Sequence, residues 1–103
     1  MKIEVLYFEG CLNHAPAVDR LKTVLRQAGL VTEVSEIEVT HELAAKTLRF
    51  FGSPTIRVNG LDIEPDSRSV KDTGFACRRY SGGLPSEEMI RTALREAGVL
   101  KDA

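Results

Sequence analysis

The chain has the length of one domain and a nearly balanced charge. Of its 103 residues, 43% are hydrophobic and 28% are charged, which is typical of a globular protein and excludes a disordered one. Fourteen Lys and Arg side chains against fifteen Asp and Glu give a formal charge of −1, which removes the electrostatic argument for a dedicated nucleic-acid binder. No apolar run approaches the roughly 20 residues of a membrane-spanning helix. We therefore expect a single domain over residues 1–103, with neither a nucleic-acid nor a membrane partner.

The first residues and the cysteine content indicate a cytoplasmic protein. Glu4 interrupts the stretch that would form the apolar region of a secretory signal. Two cysteines, Cys11 and Cys77, are too few for a disulfide framework. In the reducing cytosol they are redox residues, metal ligands or buried thiols, and their number alone does not distinguish these roles.

The chain begins with a predicted strand and helix. Residues 2–8 are rich in β-branched and aromatic side chains on both faces, which predicts a central strand. Asn13 is the candidate N-cap of the helix that follows, and Pro16 lies in its first turn, where a missing N–H costs nothing. Gly29 is the expected end of this helix.

A second strand and helix follow. Residues 31–39 predict a strand, because apolar and acidic side chains alternate over its last part. Residues 41–51 predict a helix with one apolar face. We expect Thr40 to cap this helix and Gly52 to end it.

The second half predicts a hairpin, a long polar segment and a last helix. An Asn-Gly dipeptide separates two short alternating stretches, 56–58 and 61–64, which is a strong hairpin signal. Residues 65–85 are polar, and segments of this length inside a small domain commonly bind or cover a site. Ser86 is the expected N-cap of the final helix, which Gly98 ends.

The element order is β-α-β-α-β-β-α, which predicts an α/β fold. Right-handed crossovers make the first two strands parallel neighbours, and the hairpin adds two antiparallel strands. We therefore expect a four-stranded mixed sheet with helices on both faces, which would bury the apolar first strand.

Cys11 lies at the junction between the first strand and the first helix. The carboxyl end of a central strand is where open α/β sheets bind ligands, and a helix N-terminus favours a thiolate. His14 follows one helical turn later; protonated, it would favour the thiolate, and neutral, it could accept a proton or bind a metal. A buried thiol beside a solvated histidine gives the same short pattern.

The element order resembles that of the thioredoxin superfamily over nearly all of residues 2–98. Cys11-Leu12-Asn13-His14 falls where that superfamily has its Cys-x-x-Cys motif, and Pro54 falls where it has a cis-proline before the third strand. The resemblance implies a cis-proline that lies against the thiol. It also implies that the backbone around Ser53, Pro54 and Thr55 pairs with a substrate chain.

The sequence departs from that superfamily at His14, which replaces the second cysteine of the motif. A disulfide cycle within the motif is therefore excluded. Either the chemistry uses one thiol, or a resolving cysteine comes from elsewhere in the chain, and Cys77 is the one candidate. The predicted topology brings the 65–85 segment back to the end of the sheet that carries Cys11.

Two arginines follow Cys77 directly. Guanidinium groups at Arg78 and Arg79 would favour the thiolate of Cys77 and could dock an anionic partner such as a glutathione carboxylate. A solvated basic pair beside an inert thiol is the other interpretation.

Three stretches, 5–14, 52–58 and 74–80, resemble a family of small bacterial thioredoxin-like proteins. Some members of that family contain selenocysteine, which implies redox chemistry. Others are labelled alkylmercury-lyase-like, which implies soft-metal binding.

Three functions remain open at this point. The first is a thiol-based oxidoreductase in which Cys11 attacks a disulfide or peroxide, Cys77 resolves the product and His14 tunes the thiol. Its partner would be a thiol or disulfide substrate or reductant, with no cofactor and no resident metal. The second is a soft-metal binder that uses Cys11 and Cys77; a mercury lyase would also need a carboxylate, for which Glu9 and Asp66 are the nearest candidates. The third is a non-catalytic interaction module, and the sequence leaves the oligomeric state open.

Overall fold

A computed structural model describes residues 1–50, 52–69, 78, 80 and 84–100. The chain alternates strands and helices in the predicted order, with one added 3₁₀ turn at the start of the polar segment. The elements are β1 (Ile3–Tyr7), α1 (His14–Gln27), β2 (Val34–Glu38), α2 (Glu42–Leu48), β3 (Thr55–Val58), β4 (Leu61–Asp62), the 3₁₀ turn (Pro65–Ser69) and α3 (Glu87–Glu96).

The four strands form one mixed sheet in the order β2-β1-β3-β4. β1 pairs in parallel with β2, with Ile3 opposite Val34, and antiparallel with β3, with Ile3 opposite Val58. β3 and β4 form the antiparallel hairpin, with Arg57 opposite Asp62. The predicted α/β fold with a four-stranded mixed sheet is confirmed.

The sheet is covered on both faces because its central strand is apolar on both. Ile3 and Val5 pack with buried residues of α1 and α3, such as Leu21 and Leu94, in the larger core cluster. Leu6 packs on the other face with Val39, Phe50 and Ala45 of α2. None of the described helices is both long and apolar enough to cross a membrane.

The predicted ends of α1 and α3 agree with the structure. Asn13 occupies the N-cap position of α1, although its side chain makes no capping hydrogen bond. Gly29 follows α1 with a φ of +71°, a left-handed conformation that glycine adopts without strain. Ser86 caps α3, since its Oγ accepts a hydrogen bond from Met89 N at 3.0 Å.

The predicted ends of α2 are wrong. His41, and not Thr40, is the N-cap, and its Nδ1 accepts from Ala44 N at 3.1 Å. The helix ends at Leu48, well before Gly52, because Arg49 adopts a left-handed φ of 55°. Phe50 N then donates to Ala45 O at 2.7 Å, and the Phe50 ring, 0% exposed, enters the core. Burial of this ring beside the helix end accounts for the early stop.

Three strands are shorter than predicted. β1 spans Ile3–Tyr7 and not residues 2–8. β2 begins only at Val34, because residues 31–33 of the predicted strand lie outside the pairing with β1. β4 ends at Asp62, whose carboxylate accepts from Glu64 N at 2.8 Å. A side chain that bonds the backbone two residues on forms a turn, which ends the strand.

Candidate functional site

Cys11 lies in a tight turn between β1 and α1. Its N–H donates to Phe8 O at 3.3 Å, and its own carbonyl accepts from His14 N at 3.3 Å. Gly10 allows the turn because its φ is +87°. The Cys11 side chain is free among the described residues and partly exposed, and Leu12 beside it is 90% exposed. The thiol is thus accessible just before the first turn of α1.

The imidazole of His14 is held by two neighbouring strands. Its ring stacks on Tyr7 with the centroids 3.7 Å apart and the planes 6° apart. Its Nε2 lies 2.8 Å from Glu36 Oε1. The described contacts of this side chain therefore go to β1 and β2, and an effect of His14 on the Cys11 thiol stays a prediction.

The Ser53-Pro54-Thr55 motif lies next to the Cys11 turn. The Ser53–Pro54 peptide is cis, as the resemblance implies. All three residues are buried, and Ser53 and Thr55 are 0% exposed. Ser53 Oγ accepts from Phe8 N at 3.4 Å, and the carbonyl of the same Phe8 accepts from Cys11 N. Phe8 thus joins the proline motif to the thiol turn.

Two residues from the far end of the polar segment cover this motif. Arg78 N donates to Ser53 O at 2.8 Å. The Tyr80 hydroxyl donates to Pro54 O at 2.9 Å and accepts from Ile56 N at 3.3 Å. The backbone that was expected to pair with a substrate chain is therefore bonded to residues of the protein itself.

The side chain of Arg78 points into the protein and not toward an incoming anion. Its Nη1 and Nη2 lie 2.7 and 2.8 Å from the two carboxylate oxygens of Asp62, and Nη2 lies 3.1 Å from Glu64 Oε1. Nη1 also donates to Thr55 Oγ1 at 3.3 Å, and the guanidinium lies 4.1 Å from the centre of the Tyr80 ring. A role for Arg78 in docking an anionic partner would require this buried pair to open.

Burial and charge shape the ionisation of the two covering residues. Burial alone would lower the pKa of Arg78, but its hydrogen bonds to Asp62 and Glu64 and the charges around it leave that pKa raised. Burial raises the pKa of Tyr80, against the opposing effect of the Arg78 charge. At neutral pH the site therefore contains a charged guanidinium beside a neutral phenol.

Two of the predicted site residues, Cys77 and Arg79, lie outside the described residues. The structure therefore brings together Cys11 and the proline motif, and it leaves the Cys11–Cys77 pairing as a prediction. Within the described ranges, no three His, Cys, Asp or Glu side chains are grouped to hold a metal ion.

The carboxylates that bind Arg78 and the phenol of Tyr80 were not singled out from the sequence. Asp62 and Glu64 are two positions apart in a predicted strand, and alternate residues of a strand share a face. That spacing was the one sequence signal for a paired acidic site. Tyr80 appeared only at the end of the 74–80 stretch that resembles the bacterial thioredoxin-like family, and that resemblance assigned it no role.

Comparisons with known proteins do not add to this description. No family model matches the chain, and searches of curated proteins and of solved structures found no match. The α/β architecture is compatible with a thioredoxin-like fold.

Proposed function

We propose that the protein is a thiol-based oxidoreductase in which Cys11 is the nucleophile and Cys77 the resolving thiol. One observation carries the proposal: hydrogen bonds connect the Cys11 turn to the neighbour of Cys77. Cys11 N bonds Phe8 O, Phe8 N bonds Ser53 Oγ, and Ser53 O bonds the N–H of Arg78, which follows Cys77 directly. Arg78 is thus connected to the Cys11 turn, which supports its sequence neighbour Cys77 as the resolving thiol.

The chemistry follows from thiol–disulfide exchange. The Cys11 thiolate attacks one sulfur of a disulfide, a new S–S bond forms, and the other sulfur leaves as a thiolate with the electron pair of the broken bond. The Cys77 thiolate then attacks the Cys11 sulfur and expels the second half of the substrate. The substrate is reduced by two electrons and the protein is left with a Cys11–Cys77 disulfide, which an external thiol reduces.

Two features support Cys11 as the attacking thiol. It is partly exposed, so a substrate sulfur can reach it. It also follows the carboxyl end of the central strand β1, the place where open α/β sheets bind ligands. A reducing compartment such as the cytoplasm would supply the thiol that recycles the protein.

Mild oxidation of the purified protein tests the proposal. We expect an intramolecular disulfide, seen by intact-mass analysis as the loss of two hydrogens and by peptide mapping as a Cys11–Cys77 link. The Cys77→Ser variant should lose this product but still form a mixed disulfide at Cys11, whereas Cys11→Ser should form neither. A Cys77→Ser protein that reacts no differently from wild type would remove the resolving role, and a protein that is inert to disulfides but purifies with a stoichiometric soft metal would favour metal binding.

A further inference from the structure

Three backbone groups beside the Cys11 turn are already hydrogen-bonded within the protein. A peptide that adds to a folded protein as an extended strand needs unpaired backbone N–H and C=O groups to bond with. The carbonyls of Ser53 and Pro54 are instead bonded by Arg78 N and the Tyr80 hydroxyl. The Tyr80 hydroxyl also accepts a hydrogen bond from Ile56 N, at the start of β3.

These contacts are buried, so an incoming chain would have to displace all of them together. Tyr80 is 2% exposed and Arg78 is 6% exposed. Withdrawing Arg78 would also break its two hydrogen bonds to Asp62, a carboxylate that is itself 6% exposed. Withdrawing one partner of a buried ion pair leaves the charge of the other partner buried without it, which opposes the exchange strongly.

A shallow groove adjoins the residues that lead into the Cys11 turn. It has a volume of about 550 Å³ and is lined by Phe8, Glu9 and residues 38–40. This volume lies in the range of small-molecule sites. Arg78 and Tyr80 do not line the groove, so a small disulfide that approaches from it leaves both residues in place.

We infer that Arg78 and Tyr80 make the protein selective for low-molecular-weight disulfides over disulfides of extended polypeptide chains. The inference rests on the proposed function and names its substrate class. In each reaction the Cys11 thiolate forms an S–S bond with one substrate sulfur, the substrate S–S bond breaks, and the other sulfur leaves as a thiolate. The two substrate classes differ only in what must be displaced for that attack.

Rate constants for two disulfides test the inference on the full, reduced chain. Hydroxyethyl disulfide is the small probe and insulin the polypeptide probe, and each rate is divided by the rate of free reduced glutathione with the same disulfide. We expect the normalised rate with insulin to be at least about 100-fold lower than that with the small disulfide. Comparable normalised rates would overturn the inference and leave the proposed function intact, whereas reaction with neither disulfide would end both.

A matched pair of variants identifies the residues responsible. Tyr80→Phe keeps the ring over Arg78 but removes the hydroxyl from Pro54 and Ile56, so the ratio of small-disulfide to insulin rates should fall about tenfold. Glu96→Gln breaks an exposed ion pair with Arg68 and should leave that ratio unchanged. A loss of stability alone lowers both rates together, so an unchanged ratio in Tyr80→Phe would contradict the assignment.

Discussion

The phenol of Tyr80 ties the polar segment to the start of β3. Its hydroxyl serves as donor to Pro54 O and as acceptor from Ile56 N, so both hydrogen-bonding capacities of the group are used. Ionisation would remove the donated proton and place a negative charge in the interior. This is why burial raises the pKa of Tyr80.

We predict that Tyr80 stays protonated in the folded protein at about pH 11, above the usual tyrosine pKa of about 10. In the Tyr7→Phe variant, which leaves Tyr80 as the one tyrosine of the chain, tyrosinate absorbance should stay low until the protein unfolds. The unfolded chain loses this proton from about pH 10 while the folded chain keeps it, so stability should fall as the pH rises above that value. Tyrosinate absorbance that rises near pH 10 with the fold intact would contradict the prediction.

The N-cap of α2 allows a second test. His41→Ala removes the acceptor for Ala44 N and should destabilise the protein by about 0.5–1 kcal/mol, measured by urea unfolding. Thr40→Ala is the matched control, because Thr40 is exposed and precedes the cap. Its free energy of unfolding should stay within about 0.5 kcal/mol of wild type. A larger loss of stability in Thr40→Ala than in His41→Ala would show that Thr40, and not His41, caps the helix.

The hairpin and the covering segment are joined by the Asp62–Arg78 ion pair. Asp62→Ala leaves the buried guanidinium with fewer compensating groups and should cost about 3 kcal/mol in urea unfolding. Glu96→Gln breaks the exposed pair with Arg68 and should lower the free energy of unfolding far less than Asp62→Ala does. Equal losses of unfolding free energy in the two variants would show that the buried ion pair does not hold the segment containing Arg78 against the hairpin.

Local patterns predicted most of these elements, and long-range contacts account for what they missed. The N-cap at Ser86 is encoded by its neighbours in the sequence, so it was predicted. The early end of α2 depends on where the Phe50 ring is buried, which helix periodicity does not contain. The contact between Asp62 and Arg78 joins residues sixteen positions apart in a region with no regular spacing.

The residues of the candidate site also include some that the sequence predicted and some that only the tertiary structure shows. Cys11 was predicted from its place at a strand–helix junction, and Pro54 from the resemblance to the thioredoxin superfamily. Residues 78 and 80 were expected in a polar segment, whereas the structure buries both against Ser53–Thr55. Their burial depends on tertiary partners, chiefly Asp62 and the Pro54 carbonyl.

The proposed disulfide would join two distant parts of the chain. Cys11 and Cys77 are 66 positions apart in the sequence. Closing a loop of that length should stabilise the oxidised protein by roughly 4 kcal/mol in the chain-entropy description. The free energies of unfolding of the reduced and oxidised forms, measured in urea, should differ by about this amount. The difference should vanish in the Cys77→Ser variant. Identical free energies of unfolding for the two forms of the wild-type protein would show that no Cys11–Cys77 disulfide forms.

Within the part of the chain that the structure describes, the sheet ends at β2 on one side and β4 on the other. β4 has two residues, too few to template the backbone of a neighbouring molecule, and β2 carries the exposed carboxylates of Glu36 and Glu38. Like charges would face each other if two copies joined along β2. Concentrated solutions of the protein should therefore resist fibril growth at neutral pH.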